Sequence, residues 1–467
     1  GHVDAQPPAG AVEGAWRGRG AQMSGIVELI EDIGDVPHSV EPSMLRRRSR
    51  DYFWYSQALA QDLAGKQADV IVTPRNEADV IRVAAACAKR RVPLTPRGAG
   101  TGNYGQAVPL QGGVVLDMSE MSDLEWARPG VMRTQPGARM HVVDEWLKLG
   151  GQEQRLHPST KRSATIGGFV AGGSGGVGSV TWGGLREPGN VLAARVITLE
   201  DTPRAIELRG DAAQKINRAY GTTGIITALE MPLAPLGDWI DVAVVYKSFA
   251  QACEAGLAAA LADGLVKKLL TPISWPIPRY FGPFAQSCPE GSSLLLAMIA
   301  KPSLETFKSL LGAGEILHEK PFDESPAETP LYEYTWNHTT LQVLKSDRNF
   351  SYQQCLFPHD RLLASVAEMV DLFGDEVWHH LEFIRFGGRV TASALPVVRF
   401  TSRERLFEIV DLYERHGVFV ANPHVFTLED GSRHKRAEAD QIGFKAEVDP
   451  YGLLNPGKMR SYVPSRV

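Results

Sequence analysis

Apolar residues recur along this chain with two periods, and the switches between them mark its elements. Asp69-Val70-Ile71-Val72-Thr73-Pro74 is a short apolar run that predicts a strand. Asn76 has N-cap spacing to Asp79, and Ala78, Ile81, Ala85 and Ala88 follow at helical intervals. Val92 to Pro96 and Val114 to Met118 predict two more strands. Strand, helix, strand at this spacing is a βαβ unit, so part of the sheet is expected to be parallel. Met140, Val143 and Leu147 share one face of a helix predicted over 140–149, and apolar runs follow at 191–199 and 224–233. Pro232, Pro235 and Gly237 then punctuate the chain, which places a domain boundary near 236. Beyond it, β-like runs (242–246, 293–299, 390–394) alternate with amphipathic helices (250–262, 304–311, 361–373, 404–416). That pattern reads as a separate α+β domain. The expected division is 1–24 as a disordered or tag-derived stretch, 25–235 and 236–440 as domains, and 441–467 as a turn-rich tail.

Glycine changes the picture most. There are 46 glycines in 467 residues, and they are concentrated. Arg97-Gly98-Ala99-Gly100-Thr101-Gly102-Asn103 follows a predicted strand directly, so backbone N–H groups can converge on an anion without Cβ obstruction. The loop lacks a Gly-Lys-Ser/Thr ending and is not a P-loop. A second tract runs from Gly167 to Gly184. Within it Gly173-Ser174-Gly175-Gly176-Val177-Gly178 has GxGxxG spacing, but the residues after Gly178 do not read as the helix that a dinucleotide-binding turn requires. Extended backbone, able to lie along a planar or phosphorylated ligand, is expected there.

Charge and cysteine usage exclude other classes. Lys and Arg total 49 against 54 acids, a net charge of -5, which argues against nucleic acid as a partner. The four cysteines are far apart without CxxC spacing, and a reducing, cytoplasmic setting is the default. No apolar run approaches the length of a membrane span. A homo-oligomer is compatible with the pattern.

Four ordered segments carry a resemblance. They are Pro96 to Gly102; His157-Pro158-Ser159-Thr160 with Thr165-Ile166-Gly167-Gly168 and Gly172 to Gly176; Tyr220-Gly221-Thr222-Thr223-Gly224-Ile225-Ile226-Thr227; and Asp449 to Lys458. Together they resemble flavoproteins of the vanillyl-alcohol oxidase and p-cresol methylhydroxylase superfamily, most of all the glycolate oxidase subunit and D-lactate dehydrogenase branch. The resemblance implies a two-subdomain FAD-binding domain of the p-cresol methylhydroxylase type with an α+β cap. It implies FAD, held non-covalently, since no His or Cys lies from Arg97 to Asp117. Pro96, Arg97, Gly98, Ala99, Gly100, Thr101, Gly102 and Asn103 would cradle the pyrophosphate. Thr165, Ile166, Gly167, Gly168, Gly172, Gly173, Ser174, Gly175 and Gly176 would run beside the ribityl chain and ring, and Pro158, Ser159 and Gly178 would also contact the cofactor. Gly224, Ile225 and Ile226 would hold the adenine end, and Asn455 and Lys458 would return from the tail to the flavin.

The implied chemistry is hydride transfer from an alcohol, expected to be a 2-hydroxy acid, which needs a base and a cation. His338 is the first choice of base, because Tyr334-Thr335-Trp336-Asn337-His338-Thr339-Thr340 suits a pocket wall and offers hydrogen bonds to fix its tautomer. His424 and His380 follow. Arg385, flanked by apolar residues, needs an anion, either a substrate carboxylate or an internal acid. The metal-binding His-x-Gly-Asp-Gly-Asn-x-His stretch of many relatives is absent, so no metal is expected. An aromatic, phenolic or sugar alcohol as substrate stays open, as does a non-catalytic FAD-binding subunit of a complex. The electron acceptor (oxygen, quinone or cytochrome) is not encoded in any motif.

Overall fold

The computed structural model describes residues 25–173, 175–430 and 436–465. The expected 1–24 stretch and Ser174 lie outside them. The βαβ unit is present. Strands Val70–Val72 and Leu94–Arg97 both pair in parallel with Val114–Asp117, and His38–Ser39 adds antiparallel at the edge. The connecting helix is Glu77–Arg90. Asn76 caps it by accepting the Asp79 N–H at 2.9 Å, and the Asp79 carboxylate reaches back to the Arg75 N–H. Its apolar face (Val80, Val83, Ala84, Cys87) is fully buried against the parallel strands.

A second sheet, antiparallel, follows the order Leu124–Arg128, Val131–Thr134, Ile225–Pro235, Ala193–Ile197, Ala205–Arg209. Helix Met140–Lys148 packs on it through Met140, Val143 and Leu147, as the pattern predicts. The second glycine tract departs from expectation. It is not extended throughout: Ile166–Gly172 is a helix, and Ser179–Trp182 is one helical turn. Thr165 caps the former, and Ile166, Phe169 and Val170 bury its apolar face, which outweighs the low helix propensity of its glycines.

Residues 239–420 form further layers. Strands Lys267–Ile273, Ser293–Ala300, Trp239–Tyr246 and Glu315–Pro321 make one antiparallel sheet in that order. Leu381–Phe386, Arg389–Ala394, Cys355–Leu356 and Phe419–Val420 make another. Helices Phe249–Leu261, Leu362–Phe373 and Arg403–Arg415 bury their apolar faces in a shared core with these sheets, and Val180 from the glycine tract enters the same core. We refer to these layers as the cap. The tail then returns: Leu454 bridges in parallel to Leu94, the Leu94 N–H donates to Leu453 O and the Asn455 N–H donates to Leu94 O. All four cysteines are buried thiols. Among the described residues no helix is long and apolar enough to cross a membrane.

Candidate functional site

Strand Leu94–Arg97 delivers the first glycine loop into a chamber. Among the described residues the N–H groups of Ala99, Gly100, Thr101, Gly102 and Asn103 meet no acceptor in the protein. Consecutive open donors on one loop form a concave anion site. The loop can take this shape because of its glycines. Gly100 sits at φ +69°, and a Cβ on Gly98 would lie 2.0 Å from Thr165 Oγ1. Pro96, Arg97, Gly98, Ala99, Gly100, Thr101 and Gly102 line the chamber, with Thr165, Gly167, Gly168 and Gly172 opposite and Gly224 and Ile226 at one end. A chamber with an anion cradle inside it fits a phosphorylated ligand.

Several residues expected to touch the ligand instead hold the loop from behind. Asn455 Nδ2 donates to Gln106 O (2.8 Å) and Tyr220 O (2.7 Å). Lys458 Nζ donates to the carbonyls of Gly105, Gln106 (3.1 Å) and Val108 (3.0 Å). Neither residue lines the chamber. Burial pushes the Lys458 ammonium below its usual range and the carboxyl of nearby Asp51 above its own, each resisted by the other's charge. Arg97 lines the chamber, but its guanidinium donates to the carbonyls of Arg48, Arg50 and Ala99, bracing the loop. Ile166 and Ile225 are buried in the core beside the chamber. Gly178 makes a turn at φ +102°, where a Cβ would lie 1.9 Å from Arg155 O.

A second chamber of about 1360 Å³ continues from the first, sharing Thr101, Gly102, Gln106, Gly168 and Gly172 with it. Asn103, Pro158, Ser159, Gly173, Gly175 and Gly176 line it from the glycine tracts. Trp336, Asn337, Gln354, Arg385, Ser393 and Leu395 line it from the cap. Two polar pairs span the junction: Asn337 Nδ2 donates to Asn103 Oδ1 at 2.8 Å, and the Tyr104 hydroxyl donates to Gln354 Oε1. Arg218 also lines this chamber. It sits at φ +51° against Gly173, where a Cβ would lie 2.1 Å from Arg218 Cβ. Among the described residues no carboxylate pairs with it. Arg385, by contrast, is paired with Asp263, so its anion is an acid of the chain, and the site is only part-buried.

The histidines correct the sequence reading. None lines either chamber among the described residues. His338 lies off the wall that its neighbours Trp336 and Asn337 form. It bonds the Glu333 backbone, and burial pushes it down to about 4. His380 is fully buried, with Nδ1 3.2 Å from Glu382 Oε1 and Nε2 2.6 Å from Leu395 O, so both ring nitrogens are engaged. His424 is fully buried against Ser56 Oγ at 2.7 Å. The segment around His338 is at the wall, but the residues facing inward differ from those expected. Sequence reasoning also missed Asp51, Gln106 and Tyr220 on the first chamber and Tyr104, Arg218 and Gln354 on the second. Tyr104 and Arg218 flank recognised motifs and were within reach of that signal. Asp51 and Gln354 carry no local signature. No group of three or more His, Cys, Asp or Glu among the described residues is placed to hold a metal.

Comparison with known proteins agrees with the first chamber. Residues 68–202 match the FAD binding domain family. Glycolate oxidase subunit GlcD of Escherichia coli (strain K12) is 30% identical over 209 residues, 42% of this chain and 41% of that protein. D-2-hydroxyglutarate dehydrogenase of the same organism is 33% identical over 168 residues, 33% of this chain and 16% of that protein. D-lactate dehydrogenase [cytochrome], mitochondrial, of Arabidopsis thaliana is 29% identical over 185 residues, 38% of this chain and 32% of that protein. The match thus spans less than half the length of each of these relatives. The fold extends further. A solved alkyldihydroxyacetonephosphate synthase superposes over 98% of this chain and 86% of its own, with a TM-score of 0.69 at 16% identity. The open N–H cradle fits the phosphates of FAD as the cofactor, in keeping with the match of residues 68–202 to the FAD binding domain family.

Proposed function

We propose that this protein is an FAD-dependent oxidoreductase that oxidises an alcohol, with a 2-hydroxy acid as the substrate class. The observation that carries the reading is Arg218, a cation without a carboxylate partner among the described residues, in a chamber continuous with the dinucleotide site. The names of the relatives, an oxidase of glycolate and dehydrogenases of D-lactate and D-2-hydroxyglutarate, support it. When bound, FAD supplies the hydride acceptor. The chain's own part is binding and orientation. Arg218 faces the substrate carboxylate, where a planar guanidinium can donate twice. The Asn103–Asn337 and Tyr104–Gln354 pairs orient the hydroxyl and hold the cap against the glycine loop. Gly175 and Gly176 let the wall pack on the chain behind it, since a Cβ would lie 2.8 Å from Ser179 Oγ and 2.3 Å from His157 O.

An aromatic alcohol is the second reading, favoured by Phe169, Trp336 and Phe386 on the same walls. Anaerobic mixing of the yellow protein with glycolate, D-lactate, D-2-hydroxyglutarate and benzylic alcohols separates the two. Bleaching by the hydroxy acids is expected. Replacing Arg218 with Met should raise the acid concentration needed at least tenfold while FAD content is unchanged. Bleaching by benzylic alcohols alone, or an Arg218→Met variant with parent behaviour, refutes the hydroxy-acid assignment.

A further inference from the structure

Trp336 stands in a backbone conformation that bulky residues avoid, with φ +54° and ψ -136°. It is the residue where the short turn Leu331–Tyr334 gives way to helix Asn337–Leu344. Its conformation therefore decides where its own indole and the Asn337 amide point, and both line the second chamber. Something must hold it, and the hydrogen bonds name the holder. The Trp336 N–H donates to Glu382 Oε1 at 2.7 Å. Glu382 is fully buried, its other oxygen accepts the Thr271 hydroxyl, and His380 Nδ1 lies 3.2 Å from Oε1. His380 is anchored in turn, with Nε2 2.6 Å from the carbonyl of Leu395, itself a wall residue. Both ring nitrogens face oxygen atoms, so the ring is fixed at both ends. The buried Glu382 side chain thus sits between Thr271, His380 and the wall, and spends one oxygen on a backbone N–H of the wall.

We infer that Glu382 and His380 are positioning residues for substrate recognition: they hold Trp336 in its left-handed conformation and so set the wall that Trp336, Asn337 and Leu395 present to the substrate. The inference rests on the reading of the second chamber as the substrate site. It assigns His380 a role other than that of a base, and makes Trp336 and Asn337 the cap's specificity-determining contacts. Glu382→Gln keeps a carbonyl oxygen for the Trp336 N–H, whereas Glu382→Leu removes it. Glycine at 336 needs no holder, because it has no Cβ to penalise positive φ.

Two measurements on the FAD-loaded protein test this. The first is the crystal structure of each variant. Trp336 is expected to keep positive φ in Glu382→Gln and to relax to negative φ in Glu382→Leu; positive φ retained in Glu382→Leu overturns the inference. The second is titration with oxalate, a planar dicarboxylate probe, followed by the flavin absorbance. The Kd should rise at least tenfold in Glu382→Leu and less than threefold in Glu382→Gln. In a Trp336→Gly background, Glu382→Leu should add less than twofold. A parent-like Kd in Glu382→Leu, or the same tenfold loss in the Trp336→Gly background, overturns the inference. If Glu382→Leu does not accumulate with FAD, His380→Phe/Glu382→Leu, which removes both buried polar side chains, is judged by the same criteria. If oxalate leaves the parent flavin spectrum unmoved and no hydroxy acid bleaches it, the substrate assignment fails, and the crystal structures still decide whether Glu382 holds Trp336.

Discussion

Lys161 offers a severe test of how the cap is seated on the FAD-binding region. Its ammonium lies 2.6 Å from Asp144 and 2.8 Å from Glu324, and all three side chains are at least 92% buried. Asp144 and Lys161 belong to the first region and Glu324 to the cap, and Tyr332 of the cap donates its hydroxyl to Glu324 at 3.0 Å. Burial alone would raise the Asp144 carboxyl, but the charges of Lys161 and Lys268 and hydrogen bonds from Lys161 and the Gln154 N–H hold it well below the usual range. Lys161→Met preserves the stem and removes the charge, leaving two carboxylates facing each other out of water. The least costly escape is to protonate one of them. Neutralising a carboxyl of ordinary pKa at pH 7 costs about 4 kcal/mol, in the range of about 3–5 kcal/mol found when one partner of a buried pair is removed. The sign against pH identifies the cause. In the variant the folded state binds a proton that the unfolded state does not, so its stability falls as pH rises through neutrality. In the parent, Asp144 contributes stability above its unfolded value, lost only in acid. The difference between the two proteins should therefore shrink by about 2–3 kcal/mol between pH 7 and pH 5. Urea unfolding of the FAD-loaded proteins at both pH values measures it. An unchanged urea midpoint, or a destabilisation equal at the two pH values, refutes the reasoning.

Three further outcomes are expected. Gly100→Val, at φ +69° and with its Cβ driven into the Arg97 guanidinium, should purify with less than a tenth of the parent FAD content, read from the visible absorbance. The flavin should leave with the supernatant on acid precipitation, because no His or Cys lines either chamber among the described residues; a fluorescent band on a denaturing gel would contradict this. His338 and His379 are both pushed down to about 4 by burial. Each is then a group whose folded affinity for the proton is depressed, so stability should be lost as pH falls from 6.5 towards 4, by up to about 3 kcal/mol for each. His379→Phe should flatten that slope in urea titrations, and His338→Ala should leave the rate of flavin reduction within threefold of the parent.

The parts of the fold legible in the sequence were those with strong periods. Helix Glu77–Arg90 and its Asn76 cap, the parallel strands around it, and the cap helices emerged within a residue or two of expectation. Helix Ile166–Gly172 was missed because two glycines open it, while the burial that favours it depends on partners distant in sequence. In the candidate site, glycines were legible because the backbone itself does the work there, and their spacing is local. Side chains were not. Asn455 and Lys458 do serve the chamber, but through carbonyls more than 200 residues away in the chain, which no local pattern displays. The histidines were chosen for chemistry, and chemistry does not say which way a side chain faces. His338 and Asn337 are neighbours in sequence, yet only Asn337 reaches the wall.

The clamp formed by Asn455 and Lys458 also orders events in time. The loop they grip is 353 residues earlier in the chain at its farthest contact, so it leaves the ribosome long before its fasteners are made. Until Leu453 to Lys458 have emerged, the edge of the parallel sheet at Leu94 is open and the carbonyls of Gly105, Gln106 and Val108 have no cation to gather them. The loop that lines the first chamber is thus braced only once the tail has been made. A chain that ends before residue 450 is expected to keep less flavin than the full chain, read from its visible absorbance after purification.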